Sequence, residues 1–210
     1  MTSKNGLLTV FLLVSTLSPA VPIPVASSIK EVGQGVKLPT QISANGQTLC
    51  WTGSGIRKKK VVIAKVSVYR LDSYVDCKGV ASDGELKASV GLSAKNWALK
   101  LTFLRDVDSS KIRSSFKEAL EANQVDVSAS APAGQLLEKV QVDLKEGQTL
   151  WVVGEKNSPT EKVEIIFPSQ SVWTAGSSIA SDFAKIWFGV TKESTMETLQ
   201  SEILSRQYQN

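Results

Sequence analysis

Between Ile56 and Val75 the chain reads IRKKKVVIAKVSVYRLDSYV, with no glycine or proline to interrupt it. Branched and aromatic side chains are frequent in this stretch. They favour extended backbone, because stiff χ1 torsions sit well on a pleated surface. Strands usually run to about 5–6 residues and seldom pass ~10, so this segment is too long for one of them. It must bend or double back as a hairpin, with the turn expected near Ile63 to Ser67. No Asn-Gly or Asp-Gly pair pins that turn.

Around this ribbon the remaining segments fall into order. Ile29 to Ile42 reads as a lead-in with one short strand, broken by Gly33 and Gly35. Gln47 to Trp51 reads as a second short strand, ended by Thr52-Gly53-Ser54-Gly55. Asp83-Gly84 marks a turn, and Trp97 to Leu104 alternates like a half-buried strand. Asp108 can cap a helix from Ser109 to about Ala122, where Ile112, Phe116 and Leu120 make one apolar stripe. Pro132 suits a first helical turn, and Leu136, Leu137, Val140 and Leu144 continue a helical face before Gly147. Two strands follow, Thr149 to Val153 and Lys162 to Phe167. A helix from Ser178 to Phe188 then ends at Gly189, and a last one runs from about Lys192 to Ser205. In that last helix Ser194 and Glu197 stand at capping-box spacing. Strands, helices, strands, helices in that order define an α+β class rather than a parallel α/β one.

The first residues follow other rules. Lys4 precedes an uncharged, Leu/Val-rich run from Gly6 to Leu17, and a proline-broken tract from Ser18 to Ser28 follows it. That layout is a secretory signal, with small residues suited to cleavage after Ala20 or near Ala26. The apolar run falls short of the ~20 residues a membrane-spanning helix needs, although an uncleaved anchor is the competing reading. Residues 1–26 are therefore read as a signal peptide and 27–210 as one domain, placed in the periplasm or outside the cell. Any membrane contact would come only through an uncleaved signal segment.

Histidine is absent from the whole chain. Ser–His–Asp and Cys–His nucleophiles are excluded as normally built, as are zinc sites that need imidazole. Two cysteines cannot form a four-thiolate site, so neither a metal nor a cofactor is expected. The formal charge of +4, with acids and bases interspersed, does not announce a nucleic-acid partner. Cys50 and Cys77 fall on neighbouring strands of the early β unit. In an oxidising compartment they read as a disulfide, with two buried thiols as the alternative.

Four features recur in a fixed order: the Gly53-Ser-Gly-Ile-Arg57 segment, Val68-Tyr69, Phe103-Leu-Arg-Asp-Val107 before a helix, and Phe183 with Ile186-Trp-Phe-Gly189. That ordered set resembles the chalcone-isomerase-like family, in particular its bacterial members and its plant fatty-acid-binding branch. The resemblance implies an open-faced β-sandwich, an antiparallel sheet carrying a helical layer on one face, with the ligand held between the two. It implies that Arg57 faces the cleft and meets an anionic oxygen of the ligand, which suits its planar, permanently charged fork. It also implies a second hydrogen bond from Tyr69, where the plant isomerases carry threonine and the fatty-acid-binding branch carries tyrosine. The other isomerase positions fall near Asp108, Ser115 and Ile186 and do not match. No catalytic residue is therefore assigned.

The expectation is a non-catalytic binding protein of the cell envelope that holds a fatty acid or similar apolar carboxylate. Phe103, Phe116, Phe183, Ile186 and Trp187 would line the cleft. Burial of a ten-carbon tail could contribute roughly 8 kcal/mol at ~0.8 per methylene, much of it offset by ordering costs. Two alternatives stand beside this one. The cleft could be filled by side chains in a structural or partner-binding protein, with the lysines after Arg57 facing an acidic partner or lipid head groups. Less favoured is an intramolecular lyase or isomerase acting on chalcone-like phenolics.

Overall fold

The computed structural model describes residues 23–31, 37–80, 86–157 and 159–207. Most of the expected signal segment and the Asp83-Gly84 turn lie outside the described residues.

Eight strands form one antiparallel sheet in simple sequence order. They are β1 (Val25–Glu31), β2 (Lys37–Ala44), β3 (Gln47–Val61), β4 (Ala64–Asp76), β5 (Asn96–Phe103), β6 (Thr149–Asn157), β7 (Thr160–Ile166) and β8 (Ser171–Gly176). Five helices complete the fold: α1 (Ala88–Ser93), α2 (Ser109–Ala122), α3 (Pro132–Glu138), α4 (Ile179–Phe188) and α5 (Ser194–Glu202). The α+β, open-faced architecture expected from the sequence is the one observed.

Alternation along the strands makes two apolar clusters, one on each face. On β5, Trp97, Leu99, Leu101 and Phe103 join the larger cluster under the helices, while Ala98 joins the smaller one on the opposite face. That smaller cluster holds Ile42, Trp51, Tyr74, Trp151 and Ile166. Helix α2 buries Ile112, Phe116 and Leu120, the stripe read from the sequence. Close approach fixes parts of the large cluster: a Cβ at Gly154 would sit 2.1 Å from the buried Trp97 ring.

Several boundaries differ from the sequence expectation, each for a physical reason. The lead-in holds two strands, β1 and β2, rather than one. Residues 52–55 are no turn. They lie inside the 15-residue β3, where a register shift between Trp51 and Gly53 marks a bulge and Gly53 adopts φ +155. The hairpin turn falls at Val62–Ile63, at the leading edge of the expected span, and β4 already begins at Ala64. Helix α3 stops at Glu138, so Val140 and Leu144 are buried without being helical, and Leu144 instead bridges Val107. Asp108 stands at the N-cap of α2, but its carboxylate takes Lys111, and Asp143 Oδ1 accepts the Ser109 N–H at 2.8 Å. The last helix is shorter, its N-cap is Glu193, and Ser194 already lies inside it. Strand β8 and the short helix α1 had no clear periodic signal in the sequence.

Candidate functional site

Arg57 and Tyr69 stand directly opposite each other on β3 and β4, so their side chains share one face of the sheet. Tyr69 packs against the helix-side cluster, which places that face beneath the helical layer. Helix α5 lies over this end of β3 because two glycines let it approach. A Cβ on Gly53 would meet Glu202 O at 2.6 Å, and one on Gly55 would meet the Glu202 carboxylate at 2.6 Å. The contact is sealed by Thr52 Oγ1 donating to Ile203 O at 2.8 Å and by the Ile56 N–H donating to Glu202 Oε2 at 3.0 Å. The Gly-x-Gly spacing that precedes Arg57 thus serves helix docking rather than a chain reversal.

At its other end α5 brings two oxygens to the arginine. Arg57 Nη2 donates to Glu193 Oε2 at 2.5 Å and Nη1 donates to Thr195 Oγ1 at 2.7 Å, with a further bond from Nη1 to the Lys58 carbonyl. The Arg57 side chain is 13% exposed while Glu193 is 50% exposed. The fork is therefore sheltered, and the carboxylate that occupies it comes from the solvent side. Glu193 and Thr195 were not foreseen, because nothing in a helix start predicts which distant cation it will meet.

Tyr69 accepts a hydrogen bond from Trp187 Nε1 at 3.2 Å. Burial raises its hydroxyl above the ordinary tyrosine value; the Trp187 bond and the Arg57 charge pull the other way. The phenol stays protonated at neutral pH and can donate to an incoming oxygen. Of the expected cleft residues, Phe103, Phe116, Phe183, Ile186 and Trp187 all belong to the helix-side cluster and are buried. Phe116 meets Trp187 edge-on with ring centroids 5.4 Å apart and Phe183 at 6.4 Å, and Tyr69 stacks obliquely on Phe103 at 5.8 Å. The aromatic set does converge beneath Tyr69, and its members fill much of one another's space.

The positions matched to isomerase residues do not join this group chemically. Asp108 is exposed at the N-cap of α2, Ser115 is exposed on that helix, and Ile186 offers only an aliphatic side chain. Cys50 and Cys77 are joined by a disulfide with Cα atoms 4.8 Å apart. Among the described residues no cluster of His, Cys, Asp and Glu could hold a metal ion.

A second polar group lies on the opposite face of the sheet. Trp51 Nε1 donates to Ser54 Oγ at 3.3 Å, and Ser54 Oγ donates to the buried Asp72 Oδ1 at 2.6 Å. A cavity of about 540 Å³ opens beside Tyr74, Lys100, Trp151 and Phe167. Lys100 Nζ lies 5.9 Å from the Trp151 ring centroid. Sequence alternation alone could have placed these residues together, had the register of β4, β5 and β6 been known.

The fold and this arginine–tyrosine pair define a class: an antiparallel sheet roofed on one face by helices, with a sheltered cationic fork under the roof. The family model described as chalcone isomerase-like matches residues 30–205, and the chain belongs to that family. No curated protein matches the chain.

Proposed function

We propose that the protein is a non-catalytic binding protein of the cell envelope that holds a fatty acid or a similar apolar carboxylate at Arg57 and Tyr69. The observation that carries this reading is the contact between Arg57 and Glu193. A sheltered guanidinium holding a carboxylate at 2.5 Å is a fork whose geometry suits that group. A ligand carboxylate would take the place of Glu193, accept a second bond from the Tyr69 hydroxyl, and run its chain toward Phe103 and Phe116. Isomerisation needs groups that orient the substrate and stabilise an oxyanion, and Asp108, Ser115 and Ile186 supply neither beside Arg57. Export is part of the proposal. It rests on the signal-like N-terminus and agrees with a disulfide, a bond that persists in oxidising compartments.

The test is a titration with dodecanoate followed by tryptophan fluorescence, since Trp187 touches Tyr69. Saturable binding that Arg57→Ala abolishes supports the reading. Equal binding by that variant would sink it.

A second reading draws on the aromatic packing. Because Phe116, Phe183 and Trp187 already touch edge-on, the helix-side core could be closed and the protein could serve as a structural or partner-binding element. Absence of any saturable response to dodecanoate, together with no extractable acid, would favour it.

A further inference from the structure

The hairpin of β3 and β4 outruns its neighbours. Strand β2 pairs with β3 only from Gln47 to Cys50, and β5 pairs with β4 only from Tyr69 to Val75. Beyond Arg57 the pairs Lys58–Ser67, Lys59–Val66, Lys60–Lys65 and Val61–Ala64 continue as a two-stranded ribbon with no third strand beside it among the described residues. An isolated two-stranded ribbon is marginal in water, so this arm has to be kept for some use.

Its tip contradicts two local preferences at once. Val61, Val62 and Ile63 are 51%, 87% and 97% exposed, which makes the tip the most exposed apolar group among the described residues. Val62 also adopts φ +51, a conformation that costs a branched residue and suits glycine or asparagine. Turn chemistry and water both ask for polar residues here, and the sequence supplies aliphatic ones. Behind the tip stand Lys58, Lys59, Lys60 and Lys65, all exposed, and none of the four is in an ion pair among the described residues.

We propose that this arm docks the protein on an anionic phospholipid bilayer. Val61, Val62 and Ile63 enter the boundary between head groups and acyl chains, and the lysines meet the phosphates behind them. The order of the two layers carries the choice of partner. Aliphatic side chains lead and a collar of long, flexible cations follows, which is the layout of a segment that lies at a membrane interface. An acidic protein surface would engage the lysines but leave the aliphatic tip unexplained. At ~3.3 Å per residue the tip stands roughly 16 Å beyond Arg57, so docking would bring the Arg57 end of the cleft close to the lipid surface. The inference concerns the arm alone and holds whether or not the cleft takes a ligand.

Sedimentation of the disulfide-bonded protein with phosphatidylcholine vesicles, with and without phosphatidylglycerol, tests it. Binding is expected only with phosphatidylglycerol and should weaken as salt is raised. Changing Val62→Asp and Ile63→Asp together should lower binding by about tenfold or more, with an unchanged melting temperature because the tip lies outside the sheet. Replacing Lys58, Lys59 and Lys60 with glutamine should remove the preference for phosphatidylglycerol. A protein that stays in the supernatant at low salt overturns the proposal, and so does a tip variant that binds as well as the wild type. Capture of an acidic protein without vesicle binding overturns it too.

Discussion

The guanidinium of Arg57 holds the carboxylate of Glu193 at 2.5 Å, tying the middle of β3 to the first residue before α5. One partner is sheltered and the other half-exposed, so the two sides of the contact have different freedom to leave. If the fork is a ligand site, Glu193 competes with the ligand for it.

Glu193→Gln should therefore tighten binding of dodecanoate. An ion pair this exposed is worth about 0.2–1 kcal/mol, which corresponds to roughly a 1.5- to 5-fold gain in affinity. Calorimetric titration of the wild type and the variant side by side measures it.

Tyr69, partly buried, and Tyr74, fully buried, bear on stability at alkaline pH. Burial raises the hydroxyls of both Tyr69 and Tyr74 above their ordinary value of 10.0. A group with a raised folded value contributes stability that is complete below the unfolded value and is lost as pH rises past it. Urea midpoints should hold steady up to about pH 10 and fall above it. Tyr69→Phe should flatten that fall and cost about 1 kcal/mol at neutral pH, because the Trp187 indole N–H loses its acceptor.

The disulfide closes a separation of 27 residues between β3 and the turn after β4. Chain-entropy arguments give such a crosslink about 3.5 kcal/mol. Replacing both Cys50 and Cys77 with serine should lower the thermal midpoint clearly, and adding reductant to the wild type should reproduce the effect.

If a signal segment is removed on export, as proposed, strand pairing indicates where the cut falls. Val25 and Ala26 stand opposite Ser43 and Ile42 in the β1–β2 ladder. A cut near Ala26 would strip the start of that strand, whereas a cut after Ala20 leaves it whole. On the proposal that the protein is exported, the intact mass of its mature form should correspond to a chain beginning at Val21.

Much of this was legible in the sequence because it depended on local pattern. The unbroken run from Ile56 to Val75 announced the β3–β4 ribbon, and Ile112, Phe116 and Leu120 announced the buried face of α2. Arg57 and Tyr69 were paired by resemblance, and their register opposite each other is now explicit. What escaped was decided by contacts across the chain. Gly53 and Gly55 suggested a turn because glycine often marks one, yet they sit in a strand to admit α5. Val140 and Leu144 kept a helical spacing while being buried by packing and by the bridge to Val107. Glu193 lies 136 positions from Arg57, and no spacing rule connects them.

The most direct test of the binding account is what the protein carries. Wild type and Arg57→Ala would be purified natively, then denatured, extracted and analysed by mass spectrometry. The account predicts an apolar carboxylic acid at close to one per chain from the wild type and a trace from the variant. An empty wild type, or equal amounts from both, would contradict it.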